Sequence, residues 1–195
     1  MTQQRAVPLL NLPNVLTVTR LLLVPLCLLF LFQGDGHDAG WRWLSFLVFA
    51  VAAITDRYDG HIARKRGLVT TFGKVADPIA DKALTGSALI ALSILGDVPT
   101  WVTVVILVRE IGITILRFAL LRRHVIPASN GGKLKTLIQI FAIGLYLMPL
   151  PDFLDWFRIG MLAAAVILTV VTGIDYLIKA ARILGGAGRS TTTPA

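Results

Sequence analysis

Apolar runs of near-bilayer length recur along this chain, and no other feature limits its fold as strongly. A helix needs roughly 20 predominantly apolar residues to cross the hydrocarbon core of a membrane. The runs from Val15 to Phe32, Phe72 to Leu95, Trp101 to Leu121, Leu134 to Leu150 and Trp156 to Ile183 approach or pass that length. Another begins at Trp41, is apolar to Ile54, and continues into a charged stretch ending at Arg66. Charged residues make up 15% of the chain and mean hydropathy is +0.75, whereas a soluble globule carries about a quarter charged residues. The fold expected is therefore all-α: a polytopic membrane protein with six transmembrane helices. A short interfacial segment, residues 1–12, precedes them, with Pro13 and Asn14 suited to a helix start. Residues 1–185 read as a single membrane domain and 186–195 as a disordered tail.

Charge placement orients the spans. The connections after spans 1, 3 and 5 hold Asp35, Asp38, Asp97, Asp152 and Asp155. The N-terminus, the connections after spans 2 and 4, and the tail hold most of the lysines and arginines, among them Arg5, Arg64, Lys65, Arg66, Arg122, Arg123, Lys133 and Arg182. By the positive-inside rule both termini and the even-numbered connections face the cytoplasm. Trp41, Trp43, Trp101 and Trp156 fall where spans meet the opposite interface, as aromatic belts do. The net charge of +8 is thus explained by topology and does not point to nucleic acid. The first apolar run is too long for a signal-peptide core, and no small-residue cleavage motif follows it. Cys27 is the one cysteine and sits inside an apolar run, where a thiol acts as a small hydrophobe.

Chemistry concentrates in and around spans 2 and 3. Asp56 and Asp59 are three residues apart, Asp77 and Asp81 four apart, so on helices each pair projects from one face. Gly67 lies between the helices and lets the chain turn back, bringing both pairs together near the cytoplasmic surface. Ionisable residues at membrane depth are costly and mark sites or wet cavities. Four carboxylates in one pocket repel unless cations neutralise them. Hard oxygen donors suit Mg2+ or Mn2+, and four of them can hold two ions in a phosphoryl-transfer arrangement. Gly60 and Gly73 leave room for a ligand or for close helix packing, and Arg64 is in helical phase to reach bound phosphate. The competing view is that the aspartates only pair with Arg57, Arg64, Lys74 and Lys82.

The segment 56–81, DRYDGHIARKRGLVTTFGKVADPIAD, resembles the signature of the CDP-alcohol phosphotransferase family. Its fixed positions are filled by Asp56, Asp59, Gly60, Ala63, Arg64, Gly73, Asp77 and Asp81. The resemblance implies six membrane spans and an enzyme that displaces CMP from a CDP-linked lipid with an alcohol, using Mg2+ or Mn2+. It makes Asp56, Asp59, Asp77 and Asp81 metal ligands, with Asp81 also the base for the acceptor hydroxyl. Gly60, Ala63, Arg64 and Gly73 would form the CDP-lipid site, and the protein would be a homodimer of a bacterial inner membrane.

Further stretches, NLPNVLTVTRLLLVP (11–25), REIGITILR (109–117) and ASNGGKLKT (128–136), resemble the bacterial phosphatidylglycerophosphate synthases of that family. That likeness implies CDP-diacylglycerol as donor and glycerol 3-phosphate as acceptor. Tyr58 and Arg57 depart from the more usual leucine and apolar residue, without touching a fixed position. A dianionic acceptor requires cations, and Arg109, Arg117, Lys133 and Lys135 are placed to bind its phosphate. The lysines read equally well as membrane anchors, and Arg109 as a partner of Glu110. Phosphatidylinositol-phosphate synthase and cardiolipin synthase are the rival activities within the family. A divalent-cation transporter is the rival from another class, but a cation path needs no fixed Gly60, Ala63 and Arg64.

Overall fold

A computed structural model describes residues 12–66, 71–120 and 130–186. They form six α-helices, with no strand among the described residues: α1 (Leu12–Leu31), α2 (Ala39–Arg66), α3 (Thr71–Ile94), α4 (Thr100–Leu120), α5 (Asn130–Leu147) and α6 (Asp155–Gly186). The interfacial segment and the tail expected at the termini lie outside the described residues.

Helix ends follow local chemistry. After α1 the chain passes through a tight turn in which Gly34 and Asp35 take φ of 58° and 55°, the left-handed region that Gly and Asp tolerate best. Asp38 then caps α2: its Oδ1 accepts a hydrogen bond from the Trp41 amide at 3.0 Å. At the far end of α3, Gly96 has φ of 83°, and the Asp97 amide returns to the Leu92 carbonyl at 2.9 Å. That six-to-one bond with glycine in the left-handed position is a Schellman ending.

The described residues cluster into two compact units, one within Met1–Thr100 and Ile143–Asp155, the other within Trp101–Ala142 and Trp156–Ala195. In the first, α1 packs on α2 and α3, and α2 on α3. The buried stripe Ala80, Leu84, Ala88, Ala91 and Leu92 runs down α3, its alanines letting backbones approach closely. At one end a buried cation ties four pieces of chain together. Arg42 donates through Nε to the Gly36 carbonyl at 2.6 Å and through Nη1 to the Tyr146 carbonyl at 3.2 Å, and pairs through Nη2 with Asp97. Gly36 itself (φ 78°) leaves no space for a side chain, because a Cβ there would lie 2.3 Å from Leu95 Cδ2.

Polarity is arranged inside out. Large apolar side chains are exposed, Leu22 at 67%, Ile94 at 69% and Trp156 at 70%, while Arg20 is 0% and Lys135 1% exposed. Apolar surface on this scale, spread over every helix, belongs against lipid. Ala39–Asp56 and Asp152–Arg182 are long and apolar enough to cross a membrane, and Val15–Leu31 is apolar over a shorter length. The six expected spans are thus matched by six helices, with crossing length and composition at two of them. The others carry charge within their length, as at Asp81, Lys82, Arg109, Glu110, Lys133 and Lys135.

Candidate active site

The aspartate constellation belongs to the first unit. Asp56 and Asp59 stand on α2, Asp77 and Asp81 on α3, at the helical spacings expected. Asp56 is half-buried, and its Oδ1 lies 2.5 Å from Nη1 of Arg20, which comes from α1. Asp56 thus has an ion-pair partner from another helix, while the side chains of Arg57, Arg64 and Lys74 lie outside the described residues. Thr17, one turn before Arg20, is buried beside it on the same face of α1. Asp81 is half-buried as well, and its carbonyl accepts a hydrogen bond from the Thr85 hydroxyl at 3.0 Å. Gly60, Ala63 and Arg64 follow on α2, and Gly73 on α3. The side chains of Asp59, Ala63, Arg64 and Asp77 lie outside the described residues. Among the described residues no three carboxylate, imidazole or thiol groups gather as a metal site. The donor set nevertheless suits a hard divalent ion: oxygen ligands only, two carboxylates on each of two helices that pack in one unit.

The second unit has a polar interior of its own. Three helices turn charged or hydroxylic side chains inward: Arg109 and Glu110 from α4, Lys135 and Gln139 from α5, Thr169 and Thr172 from α6. Glu110 is the hub. Its Oε1 takes the ammonium of Lys135 in a close ion pair and accepts from Nη1 of Arg109 at 3.2 Å. Arg109 Nη2 donates to the Thr172 hydroxyl at 2.8 Å, and Thr172 in turn donates to the Leu168 carbonyl at 2.6 Å. Gly173 gives Arg109 its room, since a Cβ there would stand 3.2 Å from Arg109 Cγ. Gln139 Oε1 and Thr169 Oγ1 are buried without a hydrogen-bond partner among the described residues.

This geometry separates two residues that the sequence treats alike. Lys133 is exposed, as an interfacial anchor is, whereas Lys135 is buried and ion-paired. Arg109 does pair with Glu110, and it shares that carboxylate with Lys135. Arg117 stands on α4, with its side chain outside the described residues. Cys27 is buried against Ser45, whose hydroxyl donates to the Cys27 carbonyl at 3.0 Å. Asp175 and Lys179 form an exposed ion pair of 2.6 Å, as their four-residue spacing predicts.

Comparison with known proteins decides what kind of site this is. The family model described as CDP-alcohol phosphatidyltransferase matches residues 10–171. The chain belongs to the CDP-alcohol phosphatidyltransferase family. It is similar to a protein of Mycobacterium tuberculosis named probable phosphatidylglycerophosphate synthase, 56% identical over 176 residues that cover 90% of this chain and 84% of the relative. It is also similar to proteins named CDP-diacylglycerol–glycerol-3-phosphate 3-phosphatidyltransferase. That of Rickettsia typhi is 39% identical, over 85% of this chain and 94% of the relative. That of Bacillus subtilis is 38% identical, over 87% and 94%. The chain is thus an enzyme of the CDP-alcohol phosphatidyltransferase class, and both α2–α3 with its aspartates and α4–α5 with Arg109 and Lys135 fall inside the matched region.

Arg20, an arginine on an otherwise apolar helix, is a candidate that the sequence itself offers for the site. Glu110 is legible as a neighbour of Arg109 but gives no sign that it also holds Lys135.

Proposed function

We propose that this enzyme transfers a phosphatidyl group from CDP-diacylglycerol to glycerol 3-phosphate, releasing CMP and forming phosphatidylglycerophosphate. The observation that carries the proposal is the complete motif from Asp56 to Asp81 on two packed helices, in a chain whose relatives are named for that reaction. Asp56, Asp59, Asp77 and Asp81 would hold Mg2+ or Mn2+, two ions for four carboxylates. Bound there, the ions supply neutralisation of the diphosphate and of the departing CMP. Gly60, Ala63, Arg64 and Gly73 bind the CDP-lipid, with Arg64 on the diphosphate. Asp81 takes the proton of the acceptor hydroxyl as its oxygen bonds to the phosphatidyl phosphorus and the bond from that phosphorus to CMP breaks.

The acceptor's phosphate requires cations that water does not already neutralise. Lys135, buried, and Arg109, half-buried, share one carboxylate, Glu110, so the trio keeps a net positive charge within the polar interior of the second unit. That surplus supports a phosphorylated acceptor, with Arg117 and Lys133 as further phosphate contacts. The enzyme sits in the bacterial inner membrane with six spans, both termini and the active site cytoplasmic, and functions as a homodimer.

CMP release by purified protein from CDP-diacylglycerol and glycerol 3-phosphate, with and without Mg2+, tests the proposal. Metal-dependent release with phosphatidylglycerophosphate as product is expected. Release with inositol phosphate or phosphatidylglycerol in place of glycerol 3-phosphate would move the assignment within the family. Metal flux into sealed vesicles without lipid product would make the protein a transporter. Asp81→Asn is expected to abolish turnover while CDP-diacylglycerol binding, measured by equilibrium dialysis, stays within a few-fold; retained activity would remove Asp81 from the role of base.

A further inference from the structure

We propose that Arg20 is a positioning residue for Asp56, fixing that carboxylate from the protein side so that a divalent ion can take it from the open side. The inference rests on the reading of Asp56 as a metal ligand. Arg20 is fully buried on α1, while the Asp56 side chain it pairs with keeps 35% of its surface exposed. The two ends of the pair thus lie in different surroundings, the guanidinium in the interior and the carboxylate partly open to the exterior. Oδ1 lies 2.5 Å from Nη1, so one oxygen of the carboxylate is held against a buried guanidinium. Carboxylate ligands of metals are commonly held by such outer partners, which tune affinity through orientation.

A helix cross-link alone does not account for Arg20. The rest of α1 from Leu21 to Leu31 joins the bundle through apolar side chains and Cys27, and an apolar residue at position 20 would pack without the desolvation that a buried guanidinium carries. Thr17 shares the buried face and keeps the pocket around the cation polar.

The test is Mn2+ binding to purified protein in detergent, followed by the loss of the free-ion electron paramagnetic resonance signal, with no CDP-lipid present. Arg20→Met is expected to weaken Mn2+ binding by about 10–100-fold. Arg20→Lys keeps the charge but not the planar fork, and is expected to weaken it by roughly ten-fold. Thermal unfolding with and without Mn2+ separates positioning from packing. A mere cross-link lowers both midpoints equally and leaves the Mn2+-induced shift intact, whereas a positioning residue shrinks that shift. Equal affinity in the unaltered protein and the variants overturns the inference, and if Arg20→Met does not fold, Arg20→Lys alone decides it. Absence of Mn2+ binding to the unaltered protein overturns the metal reading and this inference with it.

Discussion

At the scale of single residues, burial is what separates a functional cation from an anchor. Lys135 is ion-paired to Glu110 at 2% side-chain exposure, and a lysine placed there only to mark the cytoplasmic side would reach for water. Breaking a buried pair by removing one partner leaves an uncompensated charge and costs about 3–5 kcal/mol, while replacing both partners is often nearly neutral. Glu110→Gln is therefore expected to lower the unfolding midpoint in detergent clearly, and Glu110→Gln with Lys135→Met to recover only part of it, because Arg109 still lacks its carboxylate. Under the proposed role of Lys135 in binding the acceptor phosphate, activity follows a different rule, and the KM of the double variant for glycerol 3-phosphate stays raised by about ten-fold or more. Recovery of both stability and KM would reduce Lys135 to a structural partner of Glu110. The aspartates were legible in the sequence because their spacing along each helix is itself the chemical requirement. The counter-charge from α1 needs the fold: reading along α2 and α3 sees Arg57, Arg64, Lys74 and Lys82, whereas this partner of Asp56 comes from another helix.

Helices as elements were the most legible level, because apolar length and the residues that end a helix are both written locally. The Schellman ending of α3 at Gly96 is where the sequence expects the helix to stop. No atom lies within 4 Å of a Cβ built on Gly96, so Gly96→Ala meets no steric obstacle and its effect is purely conformational. An L-residue forced to φ near 83° costs roughly 1–2 kcal/mol, and the unfolding midpoint should fall accordingly with KM values unchanged; no fall would mean that the turn relaxes. The sequence reading was less accurate for α5. It places the span at Leu134 to Leu150, but the helix runs Asn130–Leu147. Pro149 keeps Met148 out of the helical region and ends the helix early, while Asn130, Gly131 and Gly132 read as loop and instead form its first turn. The Arg42 clamp was illegible for another reason. Arg42 looks like a charge just inside a span, and its partners at Gly36, Asp97 and the Tyr146 carbonyl come from segments far apart in sequence.

For the whole molecule, the alternation of charge between connections predicts a topology that labelling can test. Asp38 and Asp152 fall on connections expected outside the cytoplasm, and Lys133 and Arg182 on those expected inside; all four are exposed. The single native cysteine, Cys27, is buried and is removed as Cys27→Ser, leaving a background in which one introduced cysteine reports one position. Asp38→Cys and Asp152→Cys are expected to react with a membrane-impermeant maleimide in spheroplasts. Lys133→Cys and Arg182→Cys should react only after the membrane is opened. Between Asp38 and Lys133 the chain would cross an odd number of times, through α2, α3 and α4, and between Lys133 and Asp152 once, through α5. Labelling of Asp38→Cys and Lys133→Cys from the same side would make that number even, so at least one of α2, α3 and α4 would have to lie within one leaflet or along the surface.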